Sequence, residues 1–201
     1  VAPFQALKFG DDVPTKLVIL RKDGTGTPVT VNQPANMVFH NGNAFEKDGK
    51  LHLDSILSPD GSVLKAVGSF GATTPVKTTP NHLTRLEIDL AKGELVSRTE
   101  IEAEVEFPRF DERLGGKEAR YLYTGGFNGG LSDATAIVKH DLHRRTSKKI
   151  QPANGRTYAE SVFAPHPGKT GEEQGWLLTL GYDGRQDQTF LEITDAATLD
   201  F

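Results

Sequence analysis

The stretch HLTRLEIDLAKGELVSRTEI, residues 82–101, contains a short strand-like run, a turn around Asp89 and Gly93, and a second strand-like run. An aspartate side chain can accept a hydrogen bond from its own backbone two residues on, and such a bond starts a turn. Two runs of apolar and β-branched residues separated by this turn chemistry are typical of a β-hairpin.

The same hairpin pattern recurs along the chain. Asp141 lies 52 positions after Asp89, and Asp195 lies 54 positions after Asp141. The repeats are ATAIVKHDLHRRTSKKI (134–150), QTFLEITDAATLDF (188–201) and an earlier, looser copy around Asp23 and Gly24, KLVILRKDGTGTPVTV (16–31). A self-similar period of this length is the signature of a repeat architecture.

A further strand-like segment precedes each of the three closer repeats. These segments are LHLDSIL, RYLYTGG and WLLTLGYD. Four-stranded units that recur about every 50 residues are typical of β-propeller blades. The sequence therefore predicts an all-β fold, with residues 1–201 forming a single partial propeller domain of three to four blades. An arc of that size is expected to leave its end blades exposed.

No segment shows a helical period, and the 21 glycines and 11 prolines divide the chain into short runs. We therefore expect strands and no helices. The predicted strands are 16–21, 28–32, 37–46, 51–57, 62–69, 82–90, 94–106, 120–125, 134–142, 158–164, 175–182 and 188–194.

Composition excludes several classes of protein. The net charge is −4 with both signs mixed, which argues against a nucleic-acid-binding surface. The absence of cysteine excludes disulfides and thiolate metal sites. No run approaches the roughly 18 apolar residues of a membrane span. We expect a cytoplasmic protein, and the short basic run HRRTSKK (143–149) leaves peripheral contact with a membrane open.

Histidine residues are the candidate metal ligands of this chain. In MVFHNGNAFEKDG (37–49), His40 follows a short apolar run, where a plain core strand has no use for an imidazole. We expect side chains to alternate along this segment, with His40 facing the propeller axis and Phe39 packing between blades. His140 and His143 flank a turn instead, and we interpret them as part of a solvated hairpin.

Three segments resemble the carotenoid cleavage oxygenases, a family that includes lignostilbene dioxygenases and the retinoid isomerohydrolase of the eye. They are FHNGNAFE (39–46), EFPRFDERLGGKEARYLYTGG (106–126) and YAESVFAPHPGKTGEEQGWLLTLGYD (158–183). Their order and spacing match the family motifs across most of positions 15–200. Gln174 stands where an acid is common in the third motif.

The resemblance implies a seven-bladed propeller whose axis holds Fe(II) bound by four histidines. Carried over by motif, His40 is one iron ligand. Glu106 and Glu160 are two of three glutamates that hydrogen-bond ligand histidines and orient them. The other three histidines and the third glutamate are expected outside this chain. The chain opens on Val1, and both of its ends look truncated, so we expect a piece from the C-terminal half of a longer protein that is inactive alone.

The implied activity is that of a non-haem Fe(II) dioxygenase. Its substrate would be a carotenoid, apocarotenoid or stilbene-type molecule, and O₂ would cleave a conjugated double bond to give two carbonyl products. No side chain beyond the iron site is expected to be catalytic. Two alternatives remain open. One is an isomerohydrolase acting on a retinyl ester with the same iron, and the other is a non-catalytic propeller that serves as a binding platform.

Overall fold

The computed structural model describes residues 7–68, 76–128, 134–151, 153 and 155–200. The described residues form thirteen strands, one short α-helix and one turn of 3₁₀ helix. In chain order these are β1 (Thr15–Ile19), β2 (Val29–Gln33), β3 (Asn41–Lys47), β4 (Lys50–Leu57), α1 (Ser62–Gly68), β5 (His82–Asp89), β6 (Glu94–Ala103), β7 (Val105–Arg109), the 3₁₀ turn (Glu112–Leu114), β8 (Tyr121–Gly126), β9 (Ala136–Asp141), β10 (Thr146–Ile150), β11 (Arg156–Pro165), β12 (Gly175–Asp183) and β13 (Gln188–Asp195).

The strands form four antiparallel sheets that follow one another along the chain. A hairpin of β1 and β2 is followed by two four-stranded sheets, β3-β4-β5-β6 and β7-β8-β9-β10, and by the three-stranded sheet β11-β12-β13. Neighbouring strands in each sheet are consecutive in sequence, as in the blades of a propeller. The predicted all-β propeller fold with three to four blades is confirmed.

Three apolar clusters fill the spaces between successive sheets. The first joins the β1–β2 hairpin to the β3–β6 sheet, with Val31 against Leu86 and Ile88. The second lies between the two four-stranded sheets and contains Ile56 and Leu122. The third lies between the β7–β10 and β11–β13 sheets, and it contains Tyr123, Phe127, Tyr158, Phe163, Leu177 and Leu199. Each sheet therefore buries its apolar face only by stacking on a neighbour.

The outward faces of the first and last sheets remain exposed in this chain. On the β11–β13 sheet, alternate residues of all three strands carry large apolar side chains that are about half exposed: Val162, Leu180, Tyr182, Leu191 and Ile193. Val18 and Leu20, at the β1 end of the arc, are exposed as well. This agrees with the expectation that an arc of so few blades leaves its end faces uncovered.

The prediction of a strand at 62–69 is wrong, because Ser62–Gly68 is helical. Asp60 accepts a hydrogen bond from the backbone N–H of Ser62, as a capping side chain does. Val63 and Leu64 are buried, and Val67 lies one helical turn beyond Val63. Seven residues were too few for the helical period to be recognised in the sequence.

The predicted strand 94–106 is two strands, and the chain breaks at Glu104. This residue has a φ of +56°, a left-handed conformation that interrupts the pleat. The predicted strand 37–46 also differs, since β3 begins at Asn41 and Met37 makes only an isolated bridge to Ser58. His40 consequently lies just before a strand and not within one, so strand alternation does not set its direction.

The aspartate turns form as predicted. Asp89 accepts a hydrogen bond from the N–H of Ala91, Asp195 accepts one from Ala197, and Gly93 adopts a φ of +68°. Asp141 reaches one residue further, to Arg144. Among the residues described above, no helix is long and apolar enough to cross a membrane.

Candidate metal centre

The first strands of three successive sheets meet at one place. β7 contacts β3 on one side and β11 on the other. His40 immediately precedes β3, Glu106 is the second residue of β7, and Glu160 lies within β11. The fold therefore brings one predicted site residue from each of three sheets toward a common region.

His40 and Glu106 are in direct contact. The Nδ1 atom of His40 lies 2.8 Å from Oε2 of Glu106. The backbone N–H of Phe107 donates a second hydrogen bond to the same oxygen, at 2.7 Å. An ionised carboxylate only accepts hydrogen bonds, so in the neutral imidazole the proton lies on Nδ1 and the lone pair on Nε2.

Burial differs sharply between the two partners. The Glu106 side chain is 3 % exposed, whereas the His40 side chain is 42 % exposed. Burial raises the pKa of the Glu106 carboxyl group, and the hydrogen bond from Phe107 and the proximity of His40 oppose that shift. Among the described residues, the second carboxylate oxygen, Oε1, is buried and has no hydrogen-bond partner. The His40 ring is thus held on one side by the buried Glu106 carboxylate, and part of the ring remains accessible.

Glu160 is not bonded to His40. Its Oε1 atom lies 2.8 Å from Nη2 of Arg109, and both side chains are about one-third exposed. The charge of Glu160 is close enough to Glu106 to raise the pKa of that carboxyl group further. The two glutamates therefore lie in one region but have different partners.

A β-bulge in β7 shapes this region. Glu106 pairs with Gly125 and Arg109 pairs with Tyr123, so two residues of β7, Phe107 and Pro108, face one residue of β8. Phe107 has a φ of +60°. Bulges are common next to active sites, where they redirect side chains. Because positions 123 and 125 share a face of β8, the extra residue puts positions 106 and 109 on one face as well.

Aromatic rings line the same region. The His40 ring centroid lies 5.5 Å from that of Phe107 and 6.5 Å from that of Phe39. Phe127 lies 6.0 Å beyond Phe107. The His40 ring therefore has Phe39 and Phe107 as aromatic neighbours, while Phe127 belongs to the buried core on which Phe107 packs.

His140 contradicts the interpretation of the 140–143 turn as solvated. This side chain is completely buried, and its two nitrogens lie 2.8 Å from Thr124 Oγ1 and 2.9 Å from Ser147 Oγ. Burial lowers its pKa to about 4. It is a neutral histidine that links three neighbouring strands. His143 is half exposed, as expected, and lies 3.3 Å from Glu118.

Arg109 was given no role from the sequence, where its signal was its position three residues after Glu106 in the EFPR segment. Asn43, which belongs to the FHNGNAFE segment, is buried and donates a hydrogen bond to the carbonyl oxygen of Lys117 at 2.6 Å. Its Oδ1 accepts from the N–H of Gly116 at 3.3 Å. Asn43 thereby ties the start of β3 to the loop before β8.

The residues present fit one part of a metal centre. A histidine that binds a metal through one ring nitrogen usually donates its other N–H to a carboxylate. His40 and Glu106 have this arrangement, and Nε2 is the free nitrogen. Across the parts of the chain that the structure describes, no three histidine, aspartate or glutamate side chains cluster closely enough to hold a metal ion by themselves.

Known proteins match this chain along almost its whole length. The profile of the family described as Retinal pigment epithelial membrane protein (RPE65) matches residues 2–201. The apocarotenoid-15,15'-oxygenase of Synechocystis is 31% identical over 194 residues, which is 96% of this chain and 39% of that protein. A carotenoid 9,10(9',10')-cleavage dioxygenase of Phaseolus vulgaris is 24% identical and covers 83% of this chain and 33% of its own length.

The fold agrees with solved structures as well. The crystal structure of cobalt-substituted Synechocystis apocarotenoid oxygenase superimposes with a TM-score of 0.84 at 30% identity, over 96% of this chain and 40% of that one. The chain thus spans about two-fifths of the length of these relatives.

Proposed function

Because the chain belongs to the RPE65 family, which includes the carotenoid cleavage oxygenases, we propose that the intact protein is an Fe(II)-dependent dioxygenase. Its substrate would be a carotenoid, apocarotenoid or stilbene-type molecule. The reaction would cleave one conjugated carbon–carbon double bond and give two carbonyl products. The names of the relatives, an apocarotenoid oxygenase and a carotenoid cleavage dioxygenase, support the reaction class.

One observation carries the proposal for this chain: the buried Glu106 carboxylate lies 2.8 Å behind Nδ1 of His40. Holding Nδ1–H fixes the tautomer of the imidazole and aims Nε2 outward. We therefore propose that His40 binds the iron through Nε2. The cobalt in a structure of the Synechocystis relative supports a metal-binding role for this scaffold.

Other residues of the chain would exclude water from the site and orient a second ligand histidine. A bound Fe(II) ion would supply the redox chemistry with O₂, and imidazole is a suitable ligand for it. Phe39 and Phe107 flank His40 and would exclude water beside an apolar polyene. Glu160 would accept a hydrogen bond from another ligand histidine of the intact protein, which this chain does not contain. No side-chain acid or base is required for the cleavage.

Labelled oxygen tests this function. The intact protein, loaded with Fe(II), is supplied with an apocarotenoid and ¹⁸O₂, and the carbonyl products are analysed by mass spectrometry. We expect one ¹⁸O atom in each product and no cleavage by His40→Ala. His82→Ala is the matched control, because His82 is also partly exposed and lies beside a glutamate, Glu100.

Three results would contradict the proposal. Unaltered cleavage by His40→Ala would remove His40 from the iron site. Turnover of a retinyl ester without incorporation of ¹⁸O would indicate the isomerohydrolase instead. If the intact protein binds neither iron nor substrate, the binding-platform alternative would be favoured.

A further inference from the structure

Arg109 is the charged residue of this region to which the proposed function gives no role. It ends β7, and its Nη2 atom lies 2.8 Å from Oε1 of Glu160 on β11. A second acid, Glu112, lies 3.8 Å from Nη1 and is mostly exposed. Among the described residues, the Nε atom of Arg109 is buried and has no hydrogen-bond partner. A buried donor without a partner is unfavourable, so other contacts of the arginine must hold its side chain in this position.

The backbone directs Arg109 toward Glu160. Without the bulge at Phe107 and Pro108, residues 106 and 109 would point to opposite faces of β7, because side chains alternate along a strand. With the extra residue, Glu106 pairs with Gly125 and Arg109 pairs with Tyr123. These two partners share a face of β8, so residues 106 and 109 lie on the same face of β7. The left-handed conformation of Phe107, with a φ of +60°, is an unfavourable one for a bulky side chain. The Glu106 carboxylate and the Arg109 guanidinium therefore lie on the same side of the short strand β7.

We propose that Arg109 is a positioning residue that acts through Glu160. The guanidinium engages one carboxylate oxygen, so the second oxygen is available to accept an N–H from a ligand imidazole. The arginine also balances one of the two negative charges that lie close together at positions 106 and 160. This inference rests on the proposed function, since it assumes that Glu160 orients a ligand histidine in the intact protein.

The physical argument concerns where the Glu160 side chain lies before the metal binds. Glu160 is about one-third exposed, so an unpaired carboxylate there would rotate toward water. Arg109 holds the carboxylate against β7. A carboxylate that is already in place loses less side-chain entropy when the ligand histidine forms a hydrogen bond with it. Loss of a partner that orients a metal ligand typically weakens metal affinity by about 10–100-fold.

Cobalt(II) binding to the intact protein tests the inference by a readout that is independent of turnover. The dissociation constant and the visible absorption spectrum are measured for wild type, Arg109→Gln and Arg109→Lys. We expect Arg109→Gln to bind cobalt about 10–100-fold more weakly and with an altered spectrum. Arg109→Lys keeps the charge and should recover most of the affinity.

Arg156→Gln is the matched control. Arg156 lies on the same strand as Glu160, is exposed to a similar degree, and forms an ion pair with Asp183 at 2.9 Å. Its loss should leave cobalt affinity unchanged. The Glu160→Gln variant and the double variant with Arg109→Gln complete a cycle, in which the two changes should weaken binding no more than Glu160→Gln does alone.

The possible failures are distinguishable. Wild-type affinity in Arg109→Gln, equal losses in Arg109→Gln and Arg156→Gln, or additive losses in the double variant would each overturn the role of Arg109 while leaving the proposed function intact. Failure of the wild-type intact protein to bind cobalt at all would overturn the proposed function, and this inference with it.

Discussion

Nδ1 of His40 lies 2.8 Å from Oε2 of Glu106, although 66 positions of sequence separate the two residues. The contact joins the start of one four-stranded sheet to the first strand of the next. The first strands β3, β7 and β11 contact one another in turn, so residues that are distant in sequence converge there. This contact fixes the orientation of the His40 imidazole, because Nδ1 is held by Glu106 while Nε2 remains accessible.

Replacing Glu106 by Gln should weaken metal binding without unfolding the protein. Glutamine has nearly the same shape but lacks the negative charge that holds Nδ1–H, so we expect cobalt or iron affinity to fall by about 10–100-fold. Titration of the intact protein with cobalt(II) measures this. Glu94→Gln, at an exposed position on β6, is the control and should bind as wild type does. Equal affinities in wild type and Glu106→Gln would contradict the role of the carboxylate.

The buried ion pair between Asp54 and Arg85 should be a major determinant of stability. Nε and Nη2 of Arg85 each lie 2.8 Å from a different oxygen of Asp54, which is 1 % exposed. Arg85→Met leaves a buried carboxylate unpaired, and we expect a loss of about 3–5 kcal/mol in the free energy of unfolding. Urea denaturation measures it.

A companion variant separates charge burial from lost packing. In Arg85→Met with Asp54→Leu, no unpaired charge remains, so much of the stability should return. Arg21→Met removes an exposed ion pair with Asp23 and should leave the urea midpoint unchanged. A double variant no more stable than Arg85→Met would show that the cost lies in packing.

Acid should destabilise the protein partly through His140. Burial lowers the pKa of this imidazole to about 4, whereas an unfolded histidine titrates near 6.5. Between these values the unfolded chain binds a proton that the native state does not, so the free energy of unfolding decreases as the pH falls from about 6.5 to about 4. Urea denaturation at pH 7 and pH 5 measures this dependence.

The His140→Gln variant isolates that contribution. It should be less stable than wild type at pH 7, by about 1–3 kcal/mol, because hydrogen bonds to Thr124 and Ser147 are perturbed. It should lose less stability than wild type between pH 7 and pH 5. An unchanged pH dependence in this variant would show that His140 does not titrate as its burial requires.

Gly175 is required at the start of β12 for steric reasons. A Cβ atom there would collide with the carbonyl oxygen of Ala164 and the ring of Phe163. We expect Gly175→Ala to lower the free energy of unfolding by about 1–3 kcal/mol, as overpacking does. Gly184→Ala, where the nearest atom would lie 3.4 Å from the new Cβ, should have little effect. Thermal denaturation of both variants distinguishes a steric role from a general preference for glycine.

The repeating turns made most of the fold predictable from sequence. Asp89, Asp141 and Asp195 start turns by bonding nearby backbone N–H groups, and this chemistry is local. The helix at 62–68 was missed because two buried residues and a capping aspartate are a weak signal over seven positions. The break at Glu104 was missed because glutamate is not among the residues that favour a left-handed conformation, so nothing in the sequence marks it.

The site was only partly predictable for a related reason. Motifs indicated His40, Glu106 and Glu160, but which acid contacts His40 depends on how two sheets stack. The bulge that directs Arg109 toward Glu160 likewise depends on strand pairing across β7 and β8. His140 was misread because burial of a turn-flanking residue is decided by the neighbouring strands, Thr124 and Ser147 included.

Anomalous diffraction from crystals of the cobalt-loaded intact protein locates the metal itself. We predict a cobalt peak about 2.1 Å from Nε2 of His40, the usual length of an imidazole–metal bond, with Nδ1 still bonded to Glu106. A peak that lies away from His40, or one bound through Nδ1 with the Glu106 contact broken, would contradict the assignment of His40 as a metal ligand.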